Sequence, residues 1–172
     1  MTTKTGTRLK SAVSKASEDP RPHRRVTGSS GKSTRSEARR TIQIGIRGPL
    51  YGPGDFAFHA EHGLEVVRIE AVKERGIGWV TDRLRRLAGG PVYCSFDIDA
   101  VDPAYAPGTG TPEVGGLTAY EAVSLVRALR GLTLVGADVV EVSPLYDGPG
   151  QVTALLAANL LFEFVSLLAL QR

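Results

Sequence analysis

From residue 41 onward, short apolar runs alternate with stretches of helical period. Residues 41–46 (TIQIGI) are rich in β-branched side chains and run into Arg47-Gly48-Pro49, which predicts a strand and a turn. Residues 55–62 predict a short helix that Gly63 ends. Residues 65–69 (EVVRI) predict a second strand, and residues 71–88 an amphipathic helix interrupted near Gly76 and Gly78 and stopped by Gly89-Gly90. A third strand begins over residues 92–97. The helix over 117–129 opens on Thr118-Ala119-Tyr120-Glu121, the pattern of a capping box, with Gly131 just past its end. Residues 134–142 (LVGADVVEV) form a nearly continuous apolar strand, as expected where helices cover both faces. A last helix spans 152–170. The β-α alternation predicts an α/β fold of three layers, a parallel sheet with helices on both faces. No internal repeat is visible.

The last helix is apolar enough to raise the question of a membrane span. At about 18 residues it lies near the lower spanning limit, but Asn159 and Glu163 stand mid-segment at i,i+4. A helix buried against a sheet fits those two residues better, and no membrane partner is expected.

The first forty residues break the pattern. They hold 13 Ser and Thr, and beyond Met1 only Leu9, Val13 and Val26 as large aliphatics. Such a segment buries too little apolar surface to offset its ordering entropy, so disorder is expected over residues 1–40 and the folded part over 41–172. Charge divides at the same place. Residues 1–40 carry 11 Lys and Arg against 3 Asp and Glu, and residues 41–172 carry 10 against 15. The overall +3 is therefore a basic leader averaged with an acidic body. No aromatic residue is interleaved with the basic ones for base stacking, so no nucleic-acid partner is expected. A transit peptide is weakened by Glu18, Asp19, Pro20 and Pro22, and no apolar stretch suits a secretory signal. Gly28-Ser29-Ser30-Gly31-Lys32-Ser33-Thr34 imitates a phosphate loop, but Val26 stands where its first glycine belongs and no apolar strand precedes it. The single cysteine, Cys94, excludes an internal disulfide framework and fits a reducing, cytoplasmic compartment.

Candidate chemistry gathers at two strand ends. Asp97 and Asp99 are two apart on a segment read as extended, which puts both carboxylates on one face. They fall at the carboxyl end of a strand, where open α/β sheets build ligand sites. Two such acids repel unless a cation sits between them, and divalent metals favour oxygen donors. The alternative is that one acid starts a turn and the other caps a loop. A third acid, Asp102, follows before Pro103. The Gly- and Pro-rich stretch 107–116 then forms a shaped loop over the strand end, or simply a long connection. Glu141 places another carboxylate at the same sheet edge, suited to a two-pronged contact with a guanidinium, or to an ordinary salt bridge.

Residues 95–116 (SFDIDAVDPAYAPGTGTPEVGG) resemble a signature block of the ureohydrolase family, the arginases and agmatinases, along all of their length. The resemblance continues through GLTAYEA, LVGADVVEVSPLYD and TALLAANLLFE, and upstream through TIQIGIRGPLY. It covers nearly all of residues 41–170 and lies on the agmatinase side of the family. It implies an arginase-like α/β fold, here its C-terminal half, a two-manganese (Mn2+) centre, and hydrolysis of a small guanidino substrate to urea and an amine. Position by position, it implies that Asp97 bridges two metals, Asp99 ligates one, Glu141 pairs with the substrate guanidinium, and Thr111 lies in the substrate-side loop. It also implies a homo-oligomer, a trimer or hexamer, for the complete enzyme.

The departures matter equally. The family's Gly-Gly-Asp-His and Asp-Ala-His-x-Asp blocks do not occur in the chain, whose three histidines are His23, His59 and His62. His59 and His62, at i,i+3, are expected on a helix surface rather than on a metal. No catalytic acid–base residue is assigned. A dinuclear site needs more donors than these, so the expectation is a ureohydrolase by descent whose isolated chain is impaired. The alternative is a non-catalytic fragment that associates with other subunits.

Overall fold

The computed structural model describes residues 12–14, 38–50, 52 and 54–171. The expectation of disorder over residues 1–40, the phosphate-loop imitation and His23 therefore lie almost wholly outside the described residues. What is described there is a short strand, β1 (Ala12–Ser14), and a turn at residues 38–40.

The remaining elements follow the alternation read from the chain. β2 (Ile42–Ile46) leads to a short helix, α1 (Ala57–His62), which Gly63 closes in the left-handed conformation at φ 72°. β3 (Glu65–Arg68) runs directly into α2 (Ile69–Leu84), and Gly76 breaks the helical geometry inside it at φ 77°, ψ 168°. A residue with a Cβ adopts that conformation only under strain, so the kink follows from the glycine. β4 (Pro91–Asp97), α3 (Ala119–Arg127), β5 (Thr133–Val140) and α4 (Val152–Ala169) complete the order. The capping box at the start of α3 is formed. The Thr118 hydroxyl accepts from the Glu121 N–H, and the Glu121 carboxylate accepts from the Thr118 N–H at 2.7 Å.

The five strands form one sheet in the order β3-β2-β1-β4-β5. β2 pairs with β3, and β4 with β5, in parallel. β1 runs antiparallel between the two pairs, with Ala12 opposite both Gln43 and Ser95. The sheet is thus parallel except at this one strand, which the sequence pattern did not predict. Its physical basis is that the backbone groups of two interior strands, β2 and β4, need partners on their facing edges.

Helices lie on both faces. α2, α3 and α4 pack side by side over Ile42, Ile44, Val67, Val92 and Phe96, forming one continuous core. Gln43 alternates with Ile42 and Ile44, so it points to the opposite face, where its Oε1 meets His59 Nε2 of α1 at 3.0 Å.

α4 buries Leu156, Leu160, Phe164 and Leu167 in the core. Glu163 is held by Arg127 of α3 through two guanidinium contacts of 2.5 and 3.0 Å. Over its 18 residues α4 has a mean hydropathy of 2.0, long and apolar enough to cross a membrane by length and composition, yet one side packs on the sheet. Its outer side keeps Leu155, Phe162 and Val165 more than 60 % exposed.

Candidate functional site

The carboxyl ends of β4 and β5 carry the candidate residues, and the backbone there explains how. β4 stops at Asp97, and Ile98–Ala100 wind into a 3-10 turn. The Asp97 carboxylate caps that turn, accepting the Asp99 N–H at 2.9 Å. Asp97 and Asp99 are therefore not two positions on one extended strand, as the spacing suggested. They are brought together by a turn that the first acid itself nucleates, because a short Asp side chain readily accepts an N–H two residues on.

Both acids are buried, Asp97 to 5 % exposure and Asp99 to 1 %. The Asp99 carboxylate accepts the hydroxyls of Thr109 on one oxygen and Thr111 on the other. The first of these threonines is itself buried, and the sequence reading passed over it. The available signal was its spacing of two from Thr111 in Thr109-Gly110-Thr111. A carboxylate this deep, satisfied by neutral hydroxyls and next to a second carboxylate, is a site at which positive charge is stabilised.

The third acid does different work. Asp102 accepts the N–H groups of Ala104 at 2.9 Å, Gly115 at 2.7 Å and Gly116 at 3.0 Å, so it closes the base of the 103–116 loop. The N–H donated by Ala104, with those of Gly115 and Gly116 and the field of Arg47, holds its carboxyl below the usual range against a smaller opposing effect of burial. The loop's near end is fastened to the neighbouring segment. Thr109 bridges Val142, the Ser143 N–H bonds the Gly108 carbonyl at 2.8 Å, and the Gly108 N–H bonds the buried Thr153 hydroxyl at 2.8 Å. A Cβ on Gly108 would lie 2.8 Å from that of Asp147, so only glycine lets these segments approach.

Glu141 follows β5 directly, one residue before the Val142 bridge, and is half-buried. Its φ of 65° lies in the left-handed region, unusual for a residue with a long side chain and a conformation that neighbouring structure must hold. The 107–111 loop thus links the segments that carry Asp99 and Glu141, and Thr111 touches the first of them.

Arg47, just past β2, was also missed. Its guanidinium bonds the carbonyls of Glu113 and Asp99 at 2.6 and 2.7 Å, with longer contacts to Val114, Ala100 and Val101. Burial pushes its pKa down, against the opposing pull of Glu113, Asp102, Asp99 and Asp97.

The described residues do not fit a two-metal centre. They bring together Asp97 and Asp99, and among the described residues no group of three or more His, Cys, Asp or Glu could hold a metal ion. His59 is not on the surface as expected. It is buried, because Gln43 reaches it and Phe56 and Phe58 present their rings edge-on to it. His62 bonds the Phe58 carbonyl at 2.9 Å and stacks on the Phe58 ring. Cys94 is buried, and desolvation followed by Asp138 pushes its thiol up to about 12, so it offers no thiolate.

Comparison with known proteins agrees with the motif and the fold. The chain is 56% identical over 131 residues to guanidinopropionase of Pseudomonas aeruginosa, a match spanning 76% of this chain and 41% of that protein. It is 49% identical over 130 residues to mitochondrial agmatinase of Gallus gallus, spanning 75% of this chain and 38% of that one. Among solved structures, proclavaminate amidino hydrolase from Streptomyces clavuligerus superposes with a TM-score of 0.72 at 44% identity, covering 77% of this chain and 44% of that chain. Arginase from Bacillus subtilis gives a TM-score of 0.67 at 27% identity, covering 77% and 46%. The chain therefore spans about two-fifths of the length of the relatives it matches. Since the arginase family model matches residues 19–166, well over half of the sequence, the chain belongs to the arginase family of ureohydrolases.

Proposed function

We propose that this chain is the carboxylate-bearing part of a guanidino hydrolase, one that splits a small guanidino compound to urea and an amine. The observation that carries this reading is Asp99. It is a carboxylate exposed by only 1 %, bonded by two hydroxyls and set beside Asp97 at the carboxyl end of β4. In this reading Asp97 and Asp99 would contribute two oxygen donors to a Mn2+ centre that the described residues do not complete. Glu141 pairs with the substrate guanidinium through a two-pronged contact, and Thr111 orients the loop that borders the substrate. The substrate class spans agmatine, guanidinopropionate and guanidinobutyrate, after the relatives' names. The setting is a reducing cytoplasm, and the complete enzyme is a homo-oligomer.

Two carboxylates are too few donors for a stable dinuclear site, so the chain alone is expected to bind Mn2+ weakly and to release no measurable urea. A second reading, a non-catalytic subunit that associates with other chains, draws on the exposed outer side of α4. A chimera separates the two. Residues 41–172 are joined behind the N-terminal part of the Pseudomonas guanidinopropionase, in place of its matching segment. We expect urea release that falls at least about 100-fold with Asp97→Ala or Asp99→Ala, the scale on which essential groups act. A folded chimera that binds no Mn2+ and releases no urea would favour the non-catalytic subunit.

A further inference from the structure

We infer that Arg47 is a positioning residue, whose guanidinium locks the 113–116 end of the loop onto the turn that carries Asp99. The inference deepens the proposed function, because it concerns how that same site is held in shape.

Three segments distant in sequence meet at this side chain. Arg47 lies just past β2. Asp99, Ala100 and Val101 form the turn after β4, and Glu113 and Val114 lie at the far end of the loop. The guanidinium donates to carbonyls in both of the latter two, at 2.6 Å to Glu113 and 2.7 Å to Asp99 for the shortest. Each hydrogen bond recorded for it ends on a backbone carbonyl, none on a carboxylate. Holding two peptide segments at once calls for a planar fork of five donors, which arginine has and lysine lacks.

The surroundings are built around that fork. Gly116 is buried, and a Cβ there would come within 2.5 Å of the Asp102 nitrogen, 2.7 Å of the Val101 carbonyl carbon and 2.8 Å of Arg47 Nη2, so the close approach of the turn on which the guanidinium sits needs a glycine. Next to the guanidinium, Leu117 and the turn exchange backbone bonds. The Asp102 N–H bonds the Leu117 carbonyl at 2.8 Å, and the Leu117 N–H bonds the Ala100 carbonyl at 2.9 Å. Because its partners are carbonyls, the charge of Arg47 is not cancelled by a contacting acid and acts on Asp97, Asp99, Asp102 and Glu113 together. Arg47 thus fixes geometry and also supplies positive charge to an acidic cluster. A merely bulky side chain would do neither.

The test is amide hydrogen exchange on the full chain, without substrate or metal, so its outcome does not depend on whether the protein hydrolyses anything. In Arg47→Ala we expect exchange at Asp99, Asp102 and Leu117 to accelerate at least tenfold, while the β4–β5 ladder and α3 keep their wild-type rates. Arg47→Lys should behave like Arg47→Ala, since an ammonium cannot span both segments. Adding about 20 mM guanidinium chloride to Arg47→Ala should restore slow exchange at those amides, and equal sodium chloride should not. Uniform acceleration across the chain, full protection in Arg47→Lys, or guanidinium protecting the wild type equally would each overturn the inference. Localised loss with guanidinium rescue, found together with an inactive chimera, would uphold the clamp and sink the hydrolase reading.

Discussion

The hydroxyl of Thr111 bonds the carboxylate of Asp99, so the loop residue and the buried acid that the family resemblance assigned to substrate and metal are directly joined. Thr109 holds the other oxygen of the same carboxylate. The loop is thereby a lid on the acid as well as a border to the site.

That arrangement has a measurable cost when one hydroxyl is removed. Thr109→Val keeps the shape and deletes the donor to a buried carboxylate oxygen, which costs about 1–3 kcal/mol. Thr111 is exposed, so water replaces its hydroxyl in Thr111→Val and the loss is smaller. Chemical denaturation followed by the fluorescence of Trp79, the only tryptophan, measures both. Equal losses from the two variants would contradict the burial argument.

Asp102 makes the loop sensitive to pH. Its folded-state pKa is lowered, chiefly by the Ala104 N–H, relative to an ordinary carboxyl at about 3.9. A depressed value means that the folded state favours the ionised form. The stabilisation is therefore fully present above the ordinary value and is lost as pH falls through the lower, folded one. The stability difference between wild type and Asp102→Asn is expected to be largest near neutral pH and to close below about pH 4. A difference that persists unchanged at acid pH would show that the carboxylate charge is not what holds the loop.

Much of this was legible in the chain, for reasons that differ by residue. The capping box at Thr118 and Glu121 and the kink at Gly76 are local, so sequence pattern finds them. The location of Asp97 and Asp99 was also legible, but their geometry was not. Strand period was extended one turn too far, because the Asp97 side chain, rather than any apolar pattern, ends the strand. Arg47 was invisible for another reason. Apart from Gly45, its partners are backbone carbonyls 52 to 67 positions away, and a carbonyl leaves no mark on the amino-acid type. Glu141 takes its left-handed backbone next to the Val142 bridge to Thr109, a tertiary contact that the amino-acid pattern does not mark either.

The outer side of α4 sets a further expectation. Leu155, Phe162 and Val165 lie exposed on a helix that is apolar nearly all round, a surface that associates in water. Sedimentation velocity on the wild type should show association that grows with concentration, and Phe162→Glu should reduce it. A wild type that stays monomeric at every concentration would contradict this reading of α4.

We propose that Asp97 and Asp99 are acids of a ureohydrolase site that the described residues alone do not complete. The most direct measurement is urea release by the purified full chain, saturated with Mn2+ and offered the guanidino compounds named above. The expected result is no urea above the enzyme-free blank. Sustained urea release that disappears in Asp97→Ala would contradict it, and would mean that the chain assembles a working centre on its own.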